Sequence, residues 1–317
     1  YAGITGPDDV QLHGDPYFHY YSIQNITNVV NSLSCGRTEV LSTSSILIDA
    51  GPDYFIPIGT PYELSINPLE GEGVTYSWEQ LDSGQITSDS FGPNNAIGGM
   101  ARSLSPKAEA NRIIPNLQSV LSNNLTLENP EVGDNWETVS LVERDLVWGL
   151  TVRKNMGDHI KSFQDKMKVS VIATSSPFAV TSQAISSLII KGGSYQKIAW
   201  NVAETNSQPI NVSEVEILLS SDGGINFDIN LAKQTPNTGE AIVFIPNNID
   251  TNNARIMVKA KEGIFFALNR ADFVIESRQF ALNFKEHQKN NCGSDVVQFE
   301  FEIDRKDGFE TSFSIQS

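Results

Sequence analysis

The run VTYSWEQ, residues 74–80, decides the fold class. Val74, Tyr76 and Trp78 alternate with Thr75, Ser77 and Glu79, and a period of two places the apolar set on one face of a half-buried strand. Working outward, LVWGLTVRKN (146–155) sets Val147, Gly149 and Thr151 against Leu146, Trp148, Leu150 and Val152. MKVSVIAT (167–174) sets Lys168 and Ser170 against Met167, Val169 and Val171. SSILIDAG (44–51) and YELSI (62–66) read as further strands. Short alternating strands punctuated by Gly, Pro, Asn and Ser are the pattern of a β-sandwich.

Around SSPFAVTSQ (175–183) a second module begins. KIAWNV (197–202), EVEILLSSDGGINF (214–227), EAIVFIP (240–246) and ARIMVKA (254–260) lie at hairpin spacing, with Trp200 and Phe227 expected in the core. SSDGG supplies residues with accessible positive φ for a tight turn. IFFALNRADFVIES (264–277) closes this sandwich, and Phe280, Leu282, Phe284 and then Val297, Phe299, Phe301, Ile303 begin part of a third module. The fold class is therefore mainly β, tandem immunoglobulin-like or fibronectin-like sandwiches, with domains expected at 37–176, 177–277 and 278–317.

Two stretches break this pattern. Residues 82–135 are poor in strand runs and read as a long insertion in the first sandwich, partly helical around Ile114 to Leu121. Residues 1–36 contain DPYFHYYSIQNITNVV, read as a helix with Asp15 as cap and Pro16 at its first position. Phe18, Tyr21, Ile23, Ile26, Val29 and Val30 fall mainly on one face, and that face needs a cover. The first sandwich, a second copy, or a domain outside this sequence could supply it. A helix end and linker follow in SLSCGRTEV, which puts a module boundary near Cys35 and Gly36.

With 22 Lys and Arg against 38 Asp and Glu, the net charge of −16 argues against nucleic acid as partner. No apolar run approaches the roughly 20 residues of a membrane span. Cys35 and Cys292, far apart, are expected to pair locally or outside the chain rather than with each other. The four histidines form no H-x-x-x-H pair, and neither a G-x-S-x-G elbow nor a phosphate loop occurs. Glu70 with Glu72 and Glu300 with Glu302 read as solvated acids. Asp49 and Asp53 in DAGPD are the candidate calcium ligands, although calcium takes about six to eight oxygens. Trp136 and Trp148 are the candidate glycan-stacking residues, because a flat ring offers a sugar face a partner. Asn25, Asn124 and Asn211 stand in N-x-S/T sequons.

YAGITG (1–6) followed by DPYFHYYSIQNI (15–26) resembles the stretch after the Met-turn of secreted, reprolysin-like bacterial zinc metallopeptidases. The resemblance runs on in order through AGPDYFIPIGTPYEL, YSWEQLD, GGMARSLSP, RIIPNL, NWETV and DLVWGLTVRKN. In the second module it includes GGSYQKIAWNVAETN, ILLSSDGGINF and NRADFVI. It implies that residues 1–36 are the C-terminal remnant of an α/β metallopeptidase domain, its last helix included. It also implies that Tyr1, Ala2, Gly3 and Ile4 wall a substrate pocket, and that Ig-like accessory modules follow. By the same resemblance the parent protein is secreted or on the cell surface, holds zinc, and acts on protein or peptide. The family's H-E-x-x-H-x-x-G-x-x-H helix is absent from the sequence, so this chain is expected to be inactive alone. NPLEGEG (67–73) and Lys154 replace acidic positions of the family pattern, which weakens the calcium reading. The alternative is a cell-surface adhesion or glycan-binding sandwich.

Overall fold

The computed structural model describes residues 14–36, 46–157, 159–285 and 298–305. With 40% strand and 7% helix, the chain is mainly β, as its alternating runs require. Described residues up to Phe178, with Ala203–Asn211 and Gly263–Phe266, form one compact unit. Ala179–Val202, Val212–Glu262 and described residues from Ala267 onward form a second.

The first unit contains α1 (Tyr20–Ser32), β1 (Tyr54–Pro57), β2 (Tyr62–Ser65), β3 (Val74–Gln80), β4 (Asn111–Ile114), α2 (Leu117–Leu121), β5 (Arg144–Asn155) and β6 (Ile160–Ile172). One sheet has the order β1-β6-β5-β3, and β2 pairs with β4 in the other. Its core holds Tyr62, Leu64, Tyr76, Trp78, Ile114, Trp148, Leu150 and Val152, which are the inward half of each alternation. β1 runs parallel to β6, with Tyr54 opposite Val169 and Pro57 opposite Ile172.

Three expectations are corrected here. SSILIDAG forms no strand over its described part, 46–51; the edge strand is instead Tyr54–Pro57. Ile48 and Ala50 are nevertheless buried, so that apolar run serves packing without ladder hydrogen bonds. The 82–135 insertion is not only a loop. Its β4 pairs antiparallel with β2, Tyr62 opposite Ile114, and so supplies half of the second sheet. Third, α1 begins at Tyr20 and its N-cap is His19, without a side-chain cap bond, so neither Asp15 nor Pro16 starts it.

The second unit contains β7 (Ala179–Val180), β8 (Ile189–Lys191), β9 (Ser194–Asn201), β10 (Glu214–Ser220), β11 (Ile229–Pro236), β12 (Glu240–Ile245) and β13 (Thr251–Ala260). β14 (Phe266–Leu268) has its first residue in the first unit and the rest in the second, and the last elements are β15 (Phe273–Glu276), β16 (Phe280–Phe284) and β17 (Phe301–Arg305). One sheet follows the order β11-β10-β13-β15-β8 and the other β12-β9-β7. Val215, Ile217 and Leu219 of the first and Ile198, Trp200, Val243 and Ile245 of the second are buried as the sandwich core. β8 pairs parallel with β15, Ile189 opposite Val274. The SSDGG turn forms as its residues demand, with Gly223 at φ 80° and Gly224 at φ 89°. Asp222 accepts from the amides of Ile225 and Asn226, which closes the loop between β10 and β11. β16 and β17 make a separate antiparallel pair.

Candidate functional site

Trp136 and Trp148, the candidates for glycan stacking, are 4% and 1% exposed. Trp148 packs edge-on to Tyr62 at 6.3 Å, and the Arg112 guanidinium carbon sits 5.4 Å from its ring centre. Trp136 packs against Phe91 at 5.3 Å while its indole N–H donates to the Glu131 carbonyl. Trp78 and Trp200 are buried too, their indole N–H groups donating to the Ala110 carbonyl and to Asn237 Oδ1. A ring with protein on both faces cannot stack on a sugar, so the stacking role of Trp136 and Trp148 is corrected to core packing.

Asp49 Oδ1 accepts from the Gly51 amide at 2.8 Å, and Asp53 Oδ1 accepts from the Lys168 amide at 2.8 Å. Each carboxylate thus holds a turn or a strand edge. Among the described residues no group of three or more His, Cys, Asp or Glu side chains gathers as a metal site would. Tyr1, Ala2, Gly3 and Ile4 lie outside the described residues, as do His13 and Cys292, whereas Cys35 is exposed. The sequon residues Asn25, Asn124 and Asn211 are all exposed.

A cavity of about 330 Å³ lies beside β3 and β4, lined by Tyr76, Trp78, Lys107, Arg112, Asn116 and Glu137 among others. Arg112 and Glu137 are tied to each other and to the backbone, with Arg112 Nε left without a hydrogen-bond partner among the described residues. Arg112 Nη2 donates to Glu137 Oε1 at 2.7 Å and to the Arg102 carbonyl at 2.6 Å, and Nη1 donates to the Trp78 carbonyl. Glu137 Oε2 accepts from the Asn116 backbone and side-chain amides at 2.8 and 3.1 Å. This buried pair staples the insertion to β3. From the other side, Arg144 Nη1 and Nη2 donate to the carbonyls of Asn95 and Gly98. Burial lowers the Arg144 pKa, against the opposing charge of Asp82.

The less expected assembly is on the outer face of β3, β5 and β6, where alternation alone predicts solvated side chains. Ser77, Glu79 and Thr151 are buried there, and Glu79 is only 2% exposed. The start of α1 covers them. Glu79 Oε2 accepts from the Tyr20 amide at 2.8 Å, and His19 Nδ1 donates to Oε1 at 2.6 Å. Arg153 Nη2 donates to the Phe18 carbonyl at 2.6 Å and Gln164 Nε2 to the Tyr20 carbonyl at 3.0 Å. Burial pushes the Glu79 carboxyl upward, but the hydrogen bond and charge of His19, then the Tyr20 amide and Ser103, outweigh it and leave a net lowering. Burial also lowers the Arg153 pKa, opposed by Glu79 and Tyr17. A helix N-terminus presents unpaired amides and positive partial charge, so a sheet carboxylate here does the work of a cap. Sequence reasoning could not find it, because the capping residue lies 59 positions from the amide it holds.

Beyond Tyr20 the helix is largely uncovered. Tyr21 is 49% exposed, Ile26 47%, Val29 59% and Val30 58%, with Leu33 after the helix and Phe18 before it also exposed. From Pro16 to Gly36 the sequence contains no Asp, Glu, Lys or Arg.

No protein-family model matches the chain. No curated protein matches it either. Among solved structures, a chimeric titin Z1Z2 functionalised with a KLER exogenous peptide from decorin is similar over 72% of this chain and 94% of its own, at 10% identity and a TM-score of 0.20. Sidekick-1 immunoglobulin domains 1–5 are similar over 81% of this chain and 44% of their own, at 10% identity and a TM-score of 0.21. The insect immune protein hemolin is similar over 73% of this chain and 46% of its own, at 8% identity and a TM-score of 0.21. At such identities and scores, nothing that those proteins bind passes to this chain.

Proposed function

We propose that this chain is a non-catalytic binding module of an extracellular protein, whose Ig-like sandwiches hold a folded protein partner against helix α1. One observation carries the reading: a helix anchored to a sandwich exposes Tyr21, Ile26, Val29, Val30 and Leu33 and has no charged residue along its length. Exposed helices in globular proteins put charge on their solvent face, whereas the centre of a protein interface is depleted of charge and rich in aromatic and apolar groups. The occupant that suits it is an uncharged apolar cleft on a folded domain. No helix among the described residues is long and apolar enough to cross a membrane.

A photo-crosslinking residue at Val29, 59% exposed, compared with one at Ile160, 71% exposed, tests this in the protein's native setting. A protein adduct formed at Val29 and not at Ile160 is expected. Equal yields at both positions, or only dimers of the chain itself, would refute it.

The same helix favours a second reading, the accessory region of a zinc metallopeptidase. The resemblance of residues 1–26 to the segment after a Met-turn makes α1 the last helix of a peptidase domain, and its uncovered residues are those such a domain would cover. Substrate and zinc would then belong to that domain, while these sandwiches position it. Both readings make the isolated chain catalytically silent. Stoichiometric zinc together with peptide hydrolysis by the purified chain would sink both.

A further inference from the structure

We propose that the outer face of β3, β5 and β6 is a detachable socket: ionised Glu79 latches the start of α1, and neutralising it releases the helix while the first sandwich stays folded. The inference concerns the hold on α1 and stands whether or not a partner covers the rest of the helix.

The socket is shaped as well as charged. Gly149 lies opposite Glu79 in the β3–β5 ladder, and a Cβ there would meet Tyr20 Cδ2 at 2.7 Å and Leu81 Cδ1 at 2.8 Å. The missing side chain is what lets the Tyr20 ring in, and Tyr20 is the buried residue of α1. Its phenol pKa is raised by burial and then by Asp165 and Tyr21. The polar contacts that tie α1 to the sheet fall between Phe18 and Tyr21, at Glu79, Arg153, Gln164 and, at 3.5 Å, the Leu81 carbonyl. Downstream, Ser22, Ile23 and Gln24 are half-buried and α1 is exposed from Asn25 to Ser32, so the helix is fastened at one end.

Buried Ser77 and Glu79 and half-buried Arg153 lie under the start of α1, with Tyr17 and Ser103 also beside Glu79. When α1 leaves, water reaches the same groups, and the sandwich core, on the opposite face of each strand, is untouched. This separates a latch from a core contact. A core polar group left unpaired stays unpaired, whereas these groups are rehydrated.

The charged and titratable groups around the latch come from every element packed on it: Asp15, Tyr17 and His19 from the α1 approach, Glu79 from β3, Arg112 from β4, Arg153 from β5 and Asp165 from β6. Arg153 sits 5.8 Å from the Tyr17 ring centre and donates to Ser77 Oγ, so it remains engaged when Glu79 is neutralised. Glu79 is the residue that contacts both His19 and the first helical amide. Its folded-state pKa is lowered, so its contribution is complete above the ordinary carboxylate range and is lost as the pH falls through the folded value.

The experiment is amide hydrogen exchange, corrected for intrinsic rates, on the full chain and on Glu79→Gln and Gly149→Ala. Glu79→Gln acts by charge and Gly149→Ala by filling the socket. Each should speed exchange of α1 amides by about tenfold or more, with β5 and β6 amides unchanged. Lowering the pH from about 7 to about 3 should speed α1 exchange in the wild type and have much less effect in Glu79→Gln. Unchanged α1 exchange in both variants would overturn the proposal. So would acceleration of β5 and β6 together with α1, which would make the helix part of one cooperative core.

Discussion

Replacing Glu137 with Ala leaves the Arg112 guanidinium charged where water hardly reaches, since the side chains of the pair are 5% and 2% exposed. The wild-type pair is joined at 2.7 Å, and Glu137 also holds the Asn116 amide that opens α2. Removing one member of a buried ion pair costs about 3–5 kcal/mol, most of it from the charge left behind. For a folding unit of about 150–250 residues each kcal/mol moves the melting temperature by about 2–4 °C, so a drop of about 6–20 °C is expected. Differential scanning calorimetry on wild type and Glu137→Ala reads it, with amide exchange of β10 and β13 as the internal control in the second unit. The double variant Arg112→Met with Glu137→Leu should recover part of the loss, because no buried charge remains, but not all, because the Asn116 amide loses its acceptor. A drop below about 3 °C in the single variant would show the guanidinium finding water or another acceptor, and the staple role of the pair would fail.

In the second unit, Ile217 is fully buried, and Ile217→Ala should cost about 2–5 kcal/mol in denaturant unfolding, with no change expected in the β5 amides of the first unit. Asp222, whose pKa the Asn226 amide and the Ser220 hydroxyl lower to about 2, should titrate there by NMR and keep the β10–β11 turn intact until the pH falls through that value. A titration at the ordinary Asp value would contradict the hydrogen bonds drawn for the turn. All four tryptophans should resist acrylamide quenching, and soluble sugars should leave their emission unmoved. Strong quenching would place an indole at the surface and restore the stacking role.

Alternation made the inward face of each strand legible. Val74, Tyr76 and Trp78 on β3 and Val215, Ile217 and Leu219 on β10 are core residues as the period of two requires. The outer face was not legible in the same way, because Ser77, Glu79 and Thr151 look solvated in sequence and are buried by a helix some sixty or more positions away. The cap of α1 failed for the same reason. Asp15 and Pro16 satisfy a local rule, but the Tyr20 amide finds its acceptor on β3. β4 was hidden because four residues, NRII, are too few to show a period inside a long polar insertion. Of the candidate site residues, the tryptophans were misread because an aromatic ring marks a core and a sugar platform equally well until its exposure is known.

The parallel pairing of β1 with β6 bears on how the first unit would behave under load. Tyr54 faces Val169 and Pro57 faces Ile172, so a pull on the chain entering β1 and an opposite pull on the chain leaving β6 run along the strands in opposing directions. The ladder bonds between them are then strained together in shear, whereas an antiparallel pair pulled from one end opens bond by bond. In the second unit, β8 and β15 stand in the same relation, Ile189 to Val274 and Lys191 to Glu276. Each unit thus carries one parallel pair whose ladder bonds would be loaded together rather than in sequence.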